Sequence, residues 1–559
     1  MIKKTGHIVF LMLLIFATSL VARNPKTGNV TGNEKIYLHT DRSMYIVGEK
    51  VRFSACIMEE KSKDTVTSLI LYAEILSPDG RSIVGSKFPI HEYKAEGCLT
   101  IPLDIVSGNY YLRAYTKYMR NHGPASYSYD AIKIINPLKG DVLAGMDTSS
   151  TRQENVHKDS VQHFIISTDK KTYASRQQVD VDIKSLLDSC ELKELIVSVV
   201  PEHSVSLKNK HVSLVNPGFS SGRYYQENRG VSLTGKLIDY NSEKPVVGGM
   251  VNLSILGDGR DFMAMQTDSA GRFSFSLPAY VGFRDLFLCS DNSKIQNPKI
   301  LVDNDFCAVP VNLPFIPLEL SDKERDLAYS LAVNHQISQL FTTDSVQTPT
   351  ENLITNKAFY GMPTDILVFD KYIQLPTLEE YFNELPTPVR VRKRDSGKYF
   401  KVIGTRPEIA FFDPLVMVDQ VAVDNPEKIL AISPSNISRI EVVNEPYVKG
   451  NITYGGIISI VSKRGDFAGL DLPASGIFIN YLFQAKDCKF SAYGPSLLHV
   501  PDARNTLYWN ADLSLKKDNS TSFSFKTADT PGAFSIVLKA IKNDGSEISQ
   551  TLLFEVIAK

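Results

Sequence analysis

The stretch from Phe411 to Pro473 limits the fold more than any other. Leu415, Val416, Met417 and Val418 form a short apolar run, Asp419-Gln420 interrupts it, and Val421 and Val423 resume it, which predicts a tight strand-turn-strand unit. Asn425 can cap a helix whose first position, Pro426, needs no N–H donor. Ile437, Ile440, Val442 and Val443 make a second buried segment. Tyr454-Gly455-Gly456 then breaks the chain before the apolar run Ile457 to Val461, and Lys463-Arg464-Gly465 ends it. Such an order predicts a compact α+β unit.

With Pro414-Leu415-Val416, Asp419, Ile440-Glu441-Val442, Tyr454-Gly455-Gly456-Ile457-Ile458 and Ser462-Lys463-Arg464-Gly465, this stretch resembles the plug domain of TonB-dependent outer-membrane receptors. The resemblance implies sharp glycine turns, which only Gly makes without steric cost. It also marks Asp419, Tyr454, Gly455, Gly456, Lys463 and Arg464 as the plug turn and candidate docking set. The family has Asp-Gly at the first turn; Gln420 in the second place disfavours a type I′ turn here. After Pro473 only 86 residues remain. A barrel of ~22 strands needs roughly 200 residues for its strands alone, so any barrel is expected to be a separate polypeptide.

At the start, Lys3 and Lys4 precede an apolar run from Ile8 to Ile15, and small residues follow by Ala22, the pattern of a cleaved export signal over 1–22. The run is too short to span a bilayer, which takes ~20 residues. With 61 basic against 62 acidic residues, neither a nucleic-acid footprint nor an acidic tail is visible.

From Glu34, Ile36 and Leu38 alternate with Tyr37 and His39, Gly48-Glu49 is a turn, and Val51, Phe53 and Ala55 alternate again, as strands of a sandwich do. Through Tyr37, Thr40-Asp41, Tyr45, Gly48-Glu49, Phe53 and Ser107 to Tyr115 this region resembles a macroglobulin-type domain. A weaker copy, with Thr168-Asp169-Lys170 and Tyr173, begins at Phe164 and predicts a stack of sandwiches. Val231 to Leu237, Val251-Asn252-Leu253 and Thr267 to Phe275 resemble the carboxypeptidase-regulatory-like sandwich, a module without peptidase chemistry. Asp268 and Gly271 would form its hairpin turn, with Phe273 and Phe275 in its core.

Two capping boxes, Ser321 with Glu324 and Thr377 with Glu380, open helices. Leu327, Leu331, Ile337 and Phe341 lie near one stripe of the first. Val389 to Arg394, VRVRKR, suits anionic lipid head groups or an acidic partner, or equally a solvated edge strand with protective charges. Trp509, the single tryptophan, reads as core. The six cysteines are scattered without a CxxC, against metal or redox chemistry. Cys56 and Cys98 fall in one predicted domain and could bridge in an oxidising compartment, although buried free thiols are the favoured reading. HExxH, GxSxG, P-loop and the CxEQ thioester motif are all absent from the sequence. No catalytic, cofactor or metal residues are therefore assigned.

The expected fold is mainly β and multidomain, with tandem β-sandwiches plus one small α+β plug-like domain. The expected boundaries are a signal at 1–22, macroglobulin-like sandwiches at 33–137 and 161–228 around a linker at 138–160, and a regulatory-like sandwich at 229–315. A helical connector at 316–355, the plug-like domain at 356–473 and a C-terminal sandwich at 485–559 follow. The order resembles exported plug-domain proteins of Bacteroidota-type bacteria. It implies a non-catalytic interaction protein, periplasmic and peripheral to the outer membrane, with no transmembrane segment and held there by a protein partner. A second reading is a gating subunit of a transport machine whose β-barrel is a separate chain; a third is an inactive macroglobulin-like protease binder. Asp-Ser/Thr-apolar triplets make Thr65, Ser160, Ser269 and Ser345 candidate O-glycosylation sites.

Overall fold

The computed structural model describes residues 34–59, 68–143, 162–188, 191–205, 224–257, 260–290, 297–341, 358–395, 397–450, 452–488, 490 and 500–558. The expected signal, 1–22, lies outside them. Eight strands form the first sandwich: β1 (Glu34–Thr40), β2 (Met44–Ile46), β3 (Lys50–Glu59), β4 (Ile70–Leu76), β5 (Ser82–Pro89), β6 (Lys94–Thr100), β7 (Gly108–Thr116) and β8 (Ser128–Ile135). One sheet runs β1-β3-β6 and the other β2-β8-β7-β4-β5. Strand alternation buries Val51, Phe53, Ala55 and Ile57 in the core. The corner after β1 is tied by Asp41, which accepts from the Tyr45 hydroxyl at 2.7 Å and the Arg52 N–H at 3.2 Å. Glu49 accepts from the Ile46 N–H at 2.7 Å and from Arg42 at 2.9 Å.

The strands β9 (Phe164–Thr168), β10 (Thr172–Ala174), β11 (Gln178–Ser185) and β12 (Leu192–Pro201) begin the same construction again. Tyr173 donates to Asp169 at 2.6 Å as Tyr45 does to Asp41, and the Ala174 N–H donates to Gln177 at 2.9 Å, where Glu49 serves in the first copy. The two copies then diverge. In the first, β4 and β5 are joined by a turn in which the Ser77 N–H donates to Arg81. In the second, residues 202–507 stand in that place.

Within this insertion, β13 (Ser232–Asp239), β14 (Met250–Ile255), β15 (Asp261–Gln266), β16 (Arg272–Ser276), β17 (Phe283–Cys289) and β18 (Pro298–Val302) build a third sandwich. Phe273 and Phe275 are buried in it, and the Asp268 carboxylate accepts from the Ala270 and Arg272 N–H groups at its hairpin. Helix α1 (Asp322–Phe341) follows, opened by the expected capping box, in which the Ser321 N–H donates to Glu324 at 3.0 Å. Leu327 and Leu331 are buried, whereas Phe341, expected on the same stripe, is exposed.

An inner α+β unit comes next. Its elements are β19 (Asp365–Val368), α2 (Leu378–Glu384), β20 (Val389–Arg394), β21 (Gly397–Val402), β22 (Leu415–Val418), β23 (Val421–Ala422), α3 (Pro426–Leu430), β24 (Ile437–Val443), β25 (Tyr447–Lys449), β26 (Ile452–Tyr454) and β27 (Ile457–Ser462). Strand β28 (Ile477–Leu482) then returns to pair antiparallel with β17. The inner unit therefore interrupts the third sandwich, just as the third sandwich interrupts the second.

Finally β29 (Tyr508–Asn510), β30 (Ser520–Lys526), β31 (Gly532–Lys542) and β32 (Glu547–Ile557) complete the second sandwich. Its sheets, β9-β11-β30 and β10-β32-β31-β12-β29, repeat the strand orders of the first one for one. The separate sandwiches expected at 161–228 and 485–559 are thus two halves of one domain. Neither half closes a core alone: Val179 and Val181 on β11 and Val197 and Val199 on β12 share one core cluster with Phe525, Ile536 and Leu538. Trp509 is buried against Ile196, as expected of a core residue.

The cysteine expectation also changes. Cys98 is bridged to Cys488, and Cys56 is a buried free thiol. In the β3–β6 ladder Cys98 lies opposite Arg52 and Cys56 opposite Lys94, four positions away. That offset is roughly 13 Å along the strand, so Cys56 and Cys98 are beyond bonding reach. The bridge fastens the first sandwich to the segment that returns from β28.

Where the first and second sandwiches meet, the Glu194 carboxylate accepts from the Ser54 hydroxyl at 2.6 Å. It is 2 % exposed, and burial raises its pKa to about 7, opposed by Ser54 and Lys94 and reinforced by Glu96. The folded chain holds this proton more tightly than the unfolded one. The stabilisation is complete below pH ~4.5 and is lost as pH rises to ~7. Glu194→Gln is expected to remove this part of the pH dependence. Urea unfolding at pH 8 should show the variant more stable than the parent by on the order of 3 kcal/mol, with the gap closing towards pH 4.5; a gap independent of pH would contradict this.

Candidate docking surface

The five-stranded sheet of the inner unit runs β19-β24-β27-β22-β23, with β22 and β27 parallel. One face, including Val416, Val418, Ile440, Ile458 and Ile460, packs with residues of α2 and α3 such as Phe382 and Ile429. The other, through Leu415, Met417, Ala422 and Ile457, is buried on Phe262 and Ala264 of the third sandwich. Both faces are covered, so the accessible surface of this unit lies at its ends and on its flanks.

Asp419 and Gln420 form the two-residue connection between β22 and β23, with φ of 45° and 73°. Two positive values mark a type I′-like turn, contrary to the expectation from Gln420. Hydrogen bonding offsets the cost. The Asp419 carboxylate accepts from the Ser462 N–H at 2.9 Å, the Ser462 hydroxyl at 2.6 Å and the Phe467 N–H at 2.8 Å. The Gln420 carbonyl accepts from the Ser254 hydroxyl at 2.7 Å, sealing the turn against the third sandwich.

At the far end of β27, a Cβ on Gly455 would overlap the carbonyl oxygen of Phe412 and stand 2.6 Å from that of Ile409. Gly456 has φ +95° and leaves its Cβ position 2.6 Å from the Val443 carbonyl oxygen. Tyr454 is half-buried beside Phe359, Tyr360 and Tyr447, and burial pushes its hydroxyl pKa up. The six residues singled out from the sequence are therefore split between two ends of one strand, roughly 20 Å apart. Asp419, Lys463 and Arg464 share one end; Tyr454, Gly455 and Gly456 share the other. Lys463 and Arg464 are the exposed members.

Lys463 also borders a cleft of about 460 Å³ that the sequence reading did not find. Phe369 and Tyr381 stack in its wall with ring centroids 4.2 Å apart, Tyr372 and Leu375 add apolar surface, and Ser433 to Ser435 form part of the lining. At the rim Lys463 pairs with Asp370 at 3.3 Å. Ile373, next to Tyr372, is 87 % exposed. Phe369 and Tyr381 are themselves buried, so they brace the wall from behind; the open lining is chiefly polar, with one cation and one anion at its mouth, which suits a polar segment of a polypeptide partner. The one available hint was the spacing of Phe369 and Tyr372 just before a capping box. Nothing local connects them to Ser433 or Lys463.

Among the described residues no three His, Cys, Asp or Glu side chains are placed to hold a metal ion, and no helix is long and apolar enough to cross a membrane. Of the candidate glycosylation sites, Ser269 is exposed at the tip of the β15–β16 hairpin; Thr65, Ser160 and Ser345 lie outside the described residues.

No family model matches the sequence, and no curated protein matches it. Among solved structures, Salmonella α2-macroglobulin reacted with methylamine is 10 % identical, with 95 % of this chain and 40 % of that one covered and a TM-score of 0.24. Escherichia coli α2-macroglobulin activated by porcine elastase is 9 % identical, with 94 % and 44 % covered and a TM-score of 0.24. The Escherichia coli adhesin FdeC is 11 % identical, with 48 % and 64 % covered and a TM-score of 0.15. The chain spans less than half the length of these macroglobulins. At such TM-scores the likenesses carry no conclusion about arrangement or activity.

Proposed function

We propose that this chain is a non-catalytic interaction protein, exported to the periplasm and peripheral to the outer membrane, whose plug-like inner unit docks a protein partner through the cleft beside Lys463. One observation carries the reading: the exposed lysine of the plug-like motif sits, paired with Asp370, on the rim of an open, mostly polar cleft braced by stacked aromatic rings. Nested insertion sets this unit at the tip of a hairpin of the second sandwich, a position where added domains are tolerated and presented.

The test is affinity capture from detergent-solubilised outer membranes with the parent chain and with a Lys463→Glu/Tyr372→Ala variant. A stoichiometric partner held by the parent and at least roughly fivefold weaker on the variant is expected, since removing a contact residue at the centre of an interface costs about 1 kcal/mol or more. Equal capture by both would place docking elsewhere. If the captured protein is a β-barrel, the chain is the gating subunit of a transport machine.

A further inference from the structure

Strands β20 and β21 form a separate two-stranded ribbon. One face is core: Val389, Phe400 and Val402 are buried, with Phe400 edge-on to Phe382 of α2. The register sets Arg390 opposite Lys401, Arg392 opposite Tyr399 and Arg394 opposite Gly397, so these share the outer face. Lys393 lies opposite Lys398 at the tip of the other face, in line with Val391 and Phe400. Like charges facing each other across a ladder destabilise it, and this ribbon contains two such pairs. From 389 to 402 there are six basic residues and one acidic, Asp395, in a chain whose charges otherwise nearly balance.

Little of this charge is neutralised internally. Lys398 pairs with Glu379 at 2.7 Å, and Arg394 has a long contact with Asp413 at 3.9 Å. Arg390 donates to the backbone carbonyls of Thr387 and Val389, and Lys401 to that of Ala410. Among the described residues no acid pairs with Arg390, Arg392, Lys393 or Lys401. The contacts from Lys401 to Ala410 and from Arg394 to Asp413 run the 410–413 segment along the cationic face. Two large apolar side chains lie on that segment: Phe411, 81 % exposed, and Phe412, 39 % exposed. Ile403, 51 % exposed, follows β21 directly. The acids on the adjoining segments, Asp395, Glu408 and Asp413, leave the patch in positive excess.

We infer that this ribbon is a membrane-contact surface that holds the protein directly on an anionic lipid bilayer, with Arg390, Arg392, Arg394 and Lys401 on the head groups and Phe411 entering the interface. Unneutralised cations beside exposed aromatic rings favour a lipid surface over an acidic polypeptide, because head-group charge attracts the former while the acyl boundary takes up the latter. The inference is independent of the cleft and of any partner it holds.

Sedimentation of the full chain with phosphatidylcholine vesicles, either pure or containing about one-third phosphatidylglycerol, tests it. Binding is expected to the anionic vesicles alone and to fall with added salt. Replacing Arg392 and Arg394 together by Gln should weaken it roughly 25-fold, at a factor of ~5 per charge. Phe411→Ser should weaken it with the charges intact. All three positions are exposed, so the variants should keep the parent's unfolding midpoint, measured in parallel. The inference is overturned if the parent fails to bind anionic vesicles or if the double variant binds as well as the parent. It is likewise overturned, in favour of an acidic protein, if soluble polyglutamate competes fully and Phe411→Ser has no effect.

Discussion

Replacing Gly455 by Val is expected to unfold the inner α+β unit while the first sandwich stays folded. The Cβ position collides with two backbone carbonyl oxygens, of Phe412 and Ile409, and no rotamer change can move backbone aside. Leu415 donates to the Gly456 carbonyl and the Gly455 N–H to Asp413, so a local shift would also break the start of the β22–β27 pairing. Steric conflict of this kind, on top of lost sheet pairing, costs about 4 kcal/mol or more. Gly456→Val adds strain at φ +95°, about 1–3 kcal/mol. Hydrogen exchange checks this directly: amides of β22, β24 and β27 should lose protection in Gly455→Val while those of β3 and β7 keep theirs. Unchanged protection along β27 would mean that the chain does not pass Phe412 as described.

Glu49→Ala should be comparably damaging, at a junction of three parts of the fold. Arg42 is 4 % exposed, and its closest acid is Glu49 at 2.9 Å; Asp41 is farther, at 3.6 Å. The same Glu49 oxygen accepts from Asn505 at 2.8 Å, and Asn505 accepts from Asn334 of α1 at 3.0 Å. Removing the carboxylate leaves a buried guanidinium short of charge and takes the acceptor from the Ile46 N–H and from the Asn505 amide. The expected cost is about 3–5 kcal/mol. Chemical denaturation measures it, and Arg42→Met added to Glu49→Ala should recover part of the loss, because the uncompensated charge is gone. A double variant no more stable than the single one would show that packing, rather than the ion pair, holds the junction.

The strands of this chain are largely legible in its sequence; their partners are not. Val179, Val181 and Ile183 announce a strand by alternation, and Asp169 with Tyr173 announces a corner like that of Asp41 with Tyr45. Both signals are local and survive any rearrangement elsewhere. That β12 pairs with β31 is a statement about residues more than 300 positions apart, and alternation is blind to it. The Asp419-Gln420 turn misleads for a related reason. Turn propensity weighs the cost of positive φ at Gln420, but the compensation comes from Ser462 and Phe467, at and just beyond the end of the neighbouring strand β27 and more than 40 residues on in the chain. Gly455 and Gly456 could be read correctly because a glycine pair before an apolar run states its own requirement. The cleft could not, since its walls come from 369–381, 433–435 and 463, each unremarkable alone.

The nesting of one unit within another also sets a timetable. If export threads the chain across the membrane as it is made, the first sandwich can close once β8 has emerged, but β9 to β12 emerge as half a domain whose missing strands are about 300 residues behind. At roughly 5–20 residues per second that wait is on the order of 15–60 s. Throughout it β11 and β12 carry unpaired edges and an uncovered apolar face. The inner unit is synthesised whole and can mature first, the third sandwich closes when β28 arrives, and the second closes last. A translational pause anywhere in 202–507 therefore lengthens the exposure of β9 to β12, so the segment most dependent on chaperone protection is one that contains neither the pause nor any change in sequence.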